Sequence, residues 1–262
     1  MSQVPTPRPS ASVIVVRDGD HGLETFMVRR HARSSVAPSA YVFPGGTVRP
    51  DDAEPLGANA DQLARLLSER SDTPVAPAEA AGVYASAVRE LFEEAGVLLA
   101  CDASGRLLAI DEDDQPLQER LAARRLALQA RQLSLAAVLA EGGWRAAFDH
   151  LVPFSHWVTP SALATRFDTW FFVAEMPERQ AALHCTIETS EGVWLPPREL
   201  LDGSYPIVFA TEHHLRRLAE LGRVEELLAF ARRKPIRRVQ PEVVEDSSGL
   251  RARLPAGVAE AW

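Results

Sequence analysis

Apolar, β-branched runs open the chain. "ASVIVVRDGDHGLETFMVRR" contains two β-rich runs joined by a Gly/Asp turn, which predicts a hairpin over about residues 11–30. "YVFPGG" predicts a short strand ending in a glycine turn, and "DQLARLLSER" has helical spacing. The segment 116–141 predicts two helices. "FSHWVTP" and "RFDTWFFVAEMP" are aromatic and β-branched and predict strands. "EGVWLPPREL" predicts a strand entering a helix at Pro197, and "VFATEHHLRRLAELGRVEELLAFARRK" two helices broken at Gly222. From residue 235 onward the chain reads as irregular or short-stranded. Without internal repeats or a long flexible linker, one domain with helical insertions is expected.

The clearest element is a helix over about 78–95 with Gly96 as its left-handed cap. Val83, Ala87, Leu91 and Ala95 form one stripe, which Tyr84, Val88 and Phe92 widen into an apolar face. Glu90, Glu93 and Glu94 lie together off that face, so the helix is expected to be buried on one side and acidic on the other. Like charges at these spacings repel by a few tenths of a kcal/mol per exposed pair. Either the cluster is a solvated face or something offsets the repulsion. Carboxylates at i, i+3 and i+4 can surround one or two hard divalent cations, and magnesium prefers such oxygen ligands together with substrate phosphates. Arg89 is placed to hold a glutamate by ion pairing. The glycines of "FPGG" allow close backbone approach to a ligand.

Composition narrows the partners. A formal net charge of −8 argues against broad nucleic-acid binding, which relies on neutralising phosphates with Lys and Arg. A small phosphorylated substrate stays compatible, because a bound cation reverses the local sign. Cys101 and Cys185 are too few for a disulfide framework and read as reduced thiols. The Pro- and Ser-containing start does not resemble a secretory signal, and no run of about 18 apolar residues suggests a membrane span. A cytoplasmic protein with no membrane partner is expected. The oligomeric state is left open, with a homodimer as one option.

Other candidates are weaker. His184 beside Cys185 lacks a second pair to complete a soft-metal site. Ser155 with His156 lacks a nucleophile elbow. His213 and His214 read as surface or packing residues. "RRKPIRR" (232–238) reads mainly as cations favourably placed after a helix C-terminus. Arg29, Arg30 and Arg33, just upstream of "FPGG", are better placed to bind a substrate diphosphate.

"RELFEEAGV" (89–97) resembles the second half of the Nudix hydrolase signature, G-x5-E-x7-R-E-U-x-E-E-x-G-U with U a bulky apolar residue, at every specified position. "FPGG" resembles the approach to the first half, with Gly46 as the signature glycine. The spacing departs: 42 residues separate Gly46 from Arg89 where the signature has 13. Asp52 sits at the offset of the first signature glutamate counted from Gly46, and Glu79 near the offset counted back from Arg89. Such a split signature is similar to that of the coenzyme A diphosphatase branch of the family.

The resemblance implies an α/β Nudix fold, a mixed β-sheet sandwiched between α-helices, over about 10–240. Insertions are expected at about 50–78 and 111–148, with 241–262 as a C-terminal tail. It further implies a hydrolase that splits a diphosphate linkage in a small nucleotide derivative, with Mg2+ or Mn2+ as cofactor. Glu90, Glu93, Glu94 and the Gly46 carbonyl are the implied metal ligands, and Arg89 the residue that orients the glutamates. Glu90, or Glu188 or Glu191 on a later segment, is the implied proton acceptor. Coenzyme A or acyl-coenzyme A is the leading substrate expectation. Hydrolysis of ADP-ribose, NADH or a nucleotide sugar, and a non-catalytic nucleotide-binding module, are the alternatives.

Overall fold

The structure is a computed structural model that describes residues 4–54, 56–111, 113–184, 189–246 and 249–258. The predicted hairpin is present as β1 (Arg8–Gly19) and β2 (Gly22–Arg30), paired antiparallel across the Gly19–Gly22 turn. β3 (Tyr41–Val42) and β4 (Gly45–Thr47) follow, then a 3-10 turn (Pro50–Ala53), α1 (Ala60–Ser68) and α2 (Pro77–Ala95). β5 (Ala100–Cys101), α3 (Gln115–Gln129), α4 (Leu135–Gly142) and β6 (Arg145–Ala146) lead to β7 (Val152–Val158) and β8 (Phe167–Glu175). The chain continues through β9 (Thr189–Leu195), α5 (Pro197–Leu200), α6 (Phe209–Leu218), α7 (Val224–Arg233) and β10 (Arg238–Val239). It ends in the hairpin of β11 (Glu242–Asp246) and β12 (Gly249–Arg253).

Eight strands form one mixed sheet. β1 is central, parallel to β8 and antiparallel to β2 and β4, while β9 and β3 extend from β2 and β7 and β10 from β8. Strand pleating sends successive side chains to opposite faces. Val13 and Val15 of β1, with Trp170 and Phe172 of β8, face α1 to α4. Ile14 and Val16, with Phe171 and Val173, face α5 to α7. Helices therefore cover both faces, which explains why these strands are apolar throughout instead of alternating. Among the described residues no helix is long and apolar enough to cross a membrane.

Helix α2 ends at Gly96, which adopts φ 70° as the glycine predicts. Of the two readings left open for the acidic side of α2, the solvated face does not hold: Glu90, Glu93 and Glu94 are buried like the apolar stripe. The segment between the signature halves packs against the same helix. Asn59 caps α1, and Leu63, Ala64 and Leu67 bury its apolar face in the core shared with α2.

On the opposite face, His214 is a fully buried core residue among Phe43, Phe154, Trp157 and Phe171. Its Nδ1 lies 2.6 Å from the Ala210 carbonyl, which can only accept, so Nδ1 carries the proton and Nε2 accepts from the Ser155 hydroxyl at 2.6 Å. Burial pushes the His214 pKa down to about 3, opposed by the Ala210 carbonyl and assisted by Lys234. The unfolded chain therefore binds the extra proton first. Stability from this group is complete above its ordinary pKa of about 6.5 and is lost as pH falls toward 3. Urea titrations from pH 6 to pH 4 should show His214→Gln losing stability less steeply than wild type, by up to ~1.4 kcal/mol per pH unit.

Candidate functional site

The site is assembled where the β3–β4 turn meets the last turns of α2. The turn is pinned to β1: the Val13 amide donates to the Pro44 carbonyl at 2.8 Å, and the Ser12 hydroxyl does so at 3.1 Å. A Cβ on Gly45 would sit 2.5 Å from the Ala11 carbonyl oxygen, and one on Gly46 would collide with the Glu90 carboxylate. Gly45 thus requires glycine, because backbone cannot give way, whereas a side chain at Gly46 would displace the Glu90 carboxylate. The Gly45 amide donates to Glu94 Oε2 at 2.9 Å, joining turn to helix.

Arg89 organises the interior. Its side chain is fully buried and forks onto Asp52, Nε to Oδ1 at 2.8 Å and Nη2 to Oδ2 at 2.9 Å. Nη1 donates to Glu90 Oε1 at 2.6 Å and lies 3.4 Å from Glu93 Oε1, while Nη2 also donates to the Thr47 carbonyl at 2.9 Å. Burial alone would lower its pKa, but pairing with Asp52 and Glu90 overcompensates and raises it, so the charge is permanent. Of the two carboxylates left open by the split spacing, Asp52 is the one that meets Arg89. Asp52 is buried against Arg89, whereas Glu79 is exposed in the first turn of α2.

Arg49, which the sequence reading missed, adds a second fork: Nη1 to Glu93 Oε1 at 2.7 Å and Nη2 to Oε2 at 2.8 Å. Its own amide donates to Asp52 Oδ2 at 2.7 Å. The only available signal was its place three residues after Gly46, inside the stretch that precedes Asp52. The Glu93 carbonyl, left over at the end of the helix, accepts from the Arg125 guanidinium at 2.9 Å and from the Gln129 amide.

Four buried carboxylates (Asp52, Glu90, Glu93 and Glu94) thus face two guanidinium groups. Burial pushes the Glu90 pKa up to about 7 against the pull of Arg89, with Glu93 adding to the rise. Burial also raises Glu93, opposed by Arg49 and Arg89. The all-oxygen donor set of this cluster fits a hard divalent cation. In the arrangement adopted here, however, no group of three or more His, Cys, Asp or Glu among the described residues is spaced to hold a metal ion.

The arginines expected to bind substrate lie on β2 and in the loop after it. Arg29 Nε is 3.4 Å from the Ser39 carbonyl, and its Nη1 is 3.8 Å from Glu191 on β9. Arg30 donates to the Val36 carbonyl at 3.0 Å, and Arg33 is exposed in the loop after β2. Glu191 accepts from the Tyr41 hydroxyl at 2.6 Å, an interaction that the sequence did not reveal. Glu188, the other later candidate, lies outside the described residues, as does Cys185.

No family model matches the chain. A Caenorhabditis elegans protein described as a putative nudix hydrolase 7 is 27% identical over 198 residues, covering 76% of this chain and 54% of that protein. The acyl-coenzyme A diphosphatase NUDT19 of Xenopus laevis is 24% identical, covering 88% of this chain and 70% of its own length. The crystal structure of a NUDIX hydrolase from Alicyclobacillus acidocaldarius superposes with a TM-score of 0.66 at 24% identity, over 87% of this chain and 97% of that one. The chain is similar to Nudix hydrolases and shares their fold. It spans about half the length of the nematode relative. Its Nudix fold carries both signature halves onto one buried cluster, with the intervening residues packed as a helix.

Replacing Asp52 with alanine leaves the buried Arg89 charge short of its main partner. It should destabilise the protein by about 3 kcal/mol in denaturant unfolding, against less than ~0.5 kcal/mol for Glu79→Ala. Glu90, whose folded pKa is raised, contributes the opposite linkage to that of His214. The folded state holds the proton more tightly, so stability falls as pH rises from about 4.5 to about 7. Glu90→Gln should therefore gain stability over wild type between pH 5 and pH 8 in metal-free buffer, read as diverging urea midpoints.

Proposed function

We propose that the chain is a divalent-cation-dependent hydrolase of a diphosphate linkage in a nucleotide derivative, with coenzyme A or acyl-coenzyme A as its substrate class. The observation that carries this reading is the buried carboxylate cluster of α2, gathered around Arg49 and Arg89 and closed by the Gly45–Gly46 turn. The cation, Mg2+ or Mn2+, would be held by Glu90, Glu93, Glu94 and the Gly46 carbonyl. When bound, it supplies charge neutralisation at the diphosphate and a more acidic water.

The remaining work falls to the chain itself. Arg89 holds Glu90 and Glu93 in place and, being permanently charged, takes no part in proton transfer. Glu90, with a proton affinity near neutrality, is the group suited to accept the proton of the attacking water. Arg29, Arg30 and Arg33 lie on the strand and loop leading to the glycine turn, where they offer positive charge to the substrate phosphates. The coenzyme A preference is supported by the signature split and by the likeness to the Xenopus acyl-coenzyme A diphosphatase.

Purified protein supplied with Mg2+ or Mn2+ should release 3',5'-ADP and a phosphopantetheine product from coenzyme A or its acyl thioester. Cleavage of ADP-ribose or NADH alone would replace the substrate assignment, and no cleavage of any diphosphate would leave a binding module. Glu94→Gln should reduce turnover more than about 100-fold with little change in melting temperature. Full activity in that variant would remove the cluster from the chemistry.

A further inference from the structure

Glu93 is the carboxylate whose charge is already answered. Arg49 takes both of its oxygens in a parallel fork, the strongest geometry for such a pair, and Arg89 lies against one of them. The two arginines are held very differently. Arg89 is fully buried and spreads its donors over Asp52, Glu90, Thr47 and Ser86, so moving it would strand several buried acceptors. The guanidinium of Arg49 is held at Glu93. Its side chain keeps 12% exposure, and it springs from the residue just before a short 3-10 turn. It can leave toward solvent without breaking the pair beneath it.

We propose that Arg49 is a built-in counter-cation. It neutralises Glu93 while no metal is bound and gives this carboxylate up when a divalent cation enters. The inference rests on the functional reading above and adds an occupant to its site. It accounts for two observations together. The donor set suits a divalent cation, yet one of its carboxylates is turned to an internal guanidinium. A positive side chain so placed both repels an incoming cation and competes for the oxygens that it needs.

The test is Mn2+ binding to the full chain without substrate, followed by electron paramagnetic resonance or calorimetry, with metal-free melting temperatures measured alongside. Arg49→Gln should bind Mn2+ about tenfold more tightly than wild type, as expected when one competing partly buried charge is removed. It should also melt at a lower temperature without metal. Arg49→Lys keeps the charge and loses the fork, and should fall between the two. If Glu94→Gln abolishes Mn2+ binding while Arg49→Gln binds no more tightly than wild type, Arg49 only positions Glu93. The inference then fails and the metal-site reading stands. If neither wild type nor Arg49→Gln binds Mn2+, both fail.

Discussion

The fork between Arg89 and Asp52 is the constraint on which the site depends. A guanidinium with no exposure must have its charge met and its donors accepted, or it costs several kcal/mol. Asp52 meets the charge, Thr47 and Ser86 accept donors, and the remaining nitrogen faces Glu90 and Glu93. The glutamates of α2 are crowded partly because this one buried cation gathers them. The same pair locks the segment after the glycine turn against the helix, so the backbone of Gly45 can reach Glu94. Strand end, turn and helix become one rigid unit in which moving any carboxylate disturbs the others.

That pair also explains how the signature tolerates being split. Asp52 stands before the inserted residues and Arg89 after them, and their contact closes the intervening loop. Loop-closure entropy grows only with the logarithm of length, so lengthening the connection from 13 to 42 residues costs about 1 kcal/mol. Burial of Leu63 and Leu67 against α2 offsets a cost of that size. The insertion is therefore a packed extension of the helical layer, and its first residues, Arg49 and Asp52, belong to the site.

Local signals carried much of the fold. The apolar runs of β1 and β8, the stripe on α2 and the glycine that ends it are each determined by neighbours in sequence, and the structure follows them closely. What eluded the sequence depends on partners far along the chain. The acidic face of α2 leaves a solvated face open in sequence because its counter-charges, Arg49 and the Asp52-bound Arg89, meet it only after the insertion folds back. His214 reads as a surface or packing residue, and its burial depends on Ser155 of the distant β7 as well as on Ala210 one turn back in its own helix. Charge clusters are visible in sequence, whereas their compensation is a property of the fold.

Burial holds protons on Glu90 up to about neutral pH against the pull of Arg89, and it raises Glu93 against both Arg49 and Arg89. Exposed glutamates at these positions would carry no such cost. Under the proposed function, the stability given up at this helix is the form in which the fold keeps affinity for its ligand.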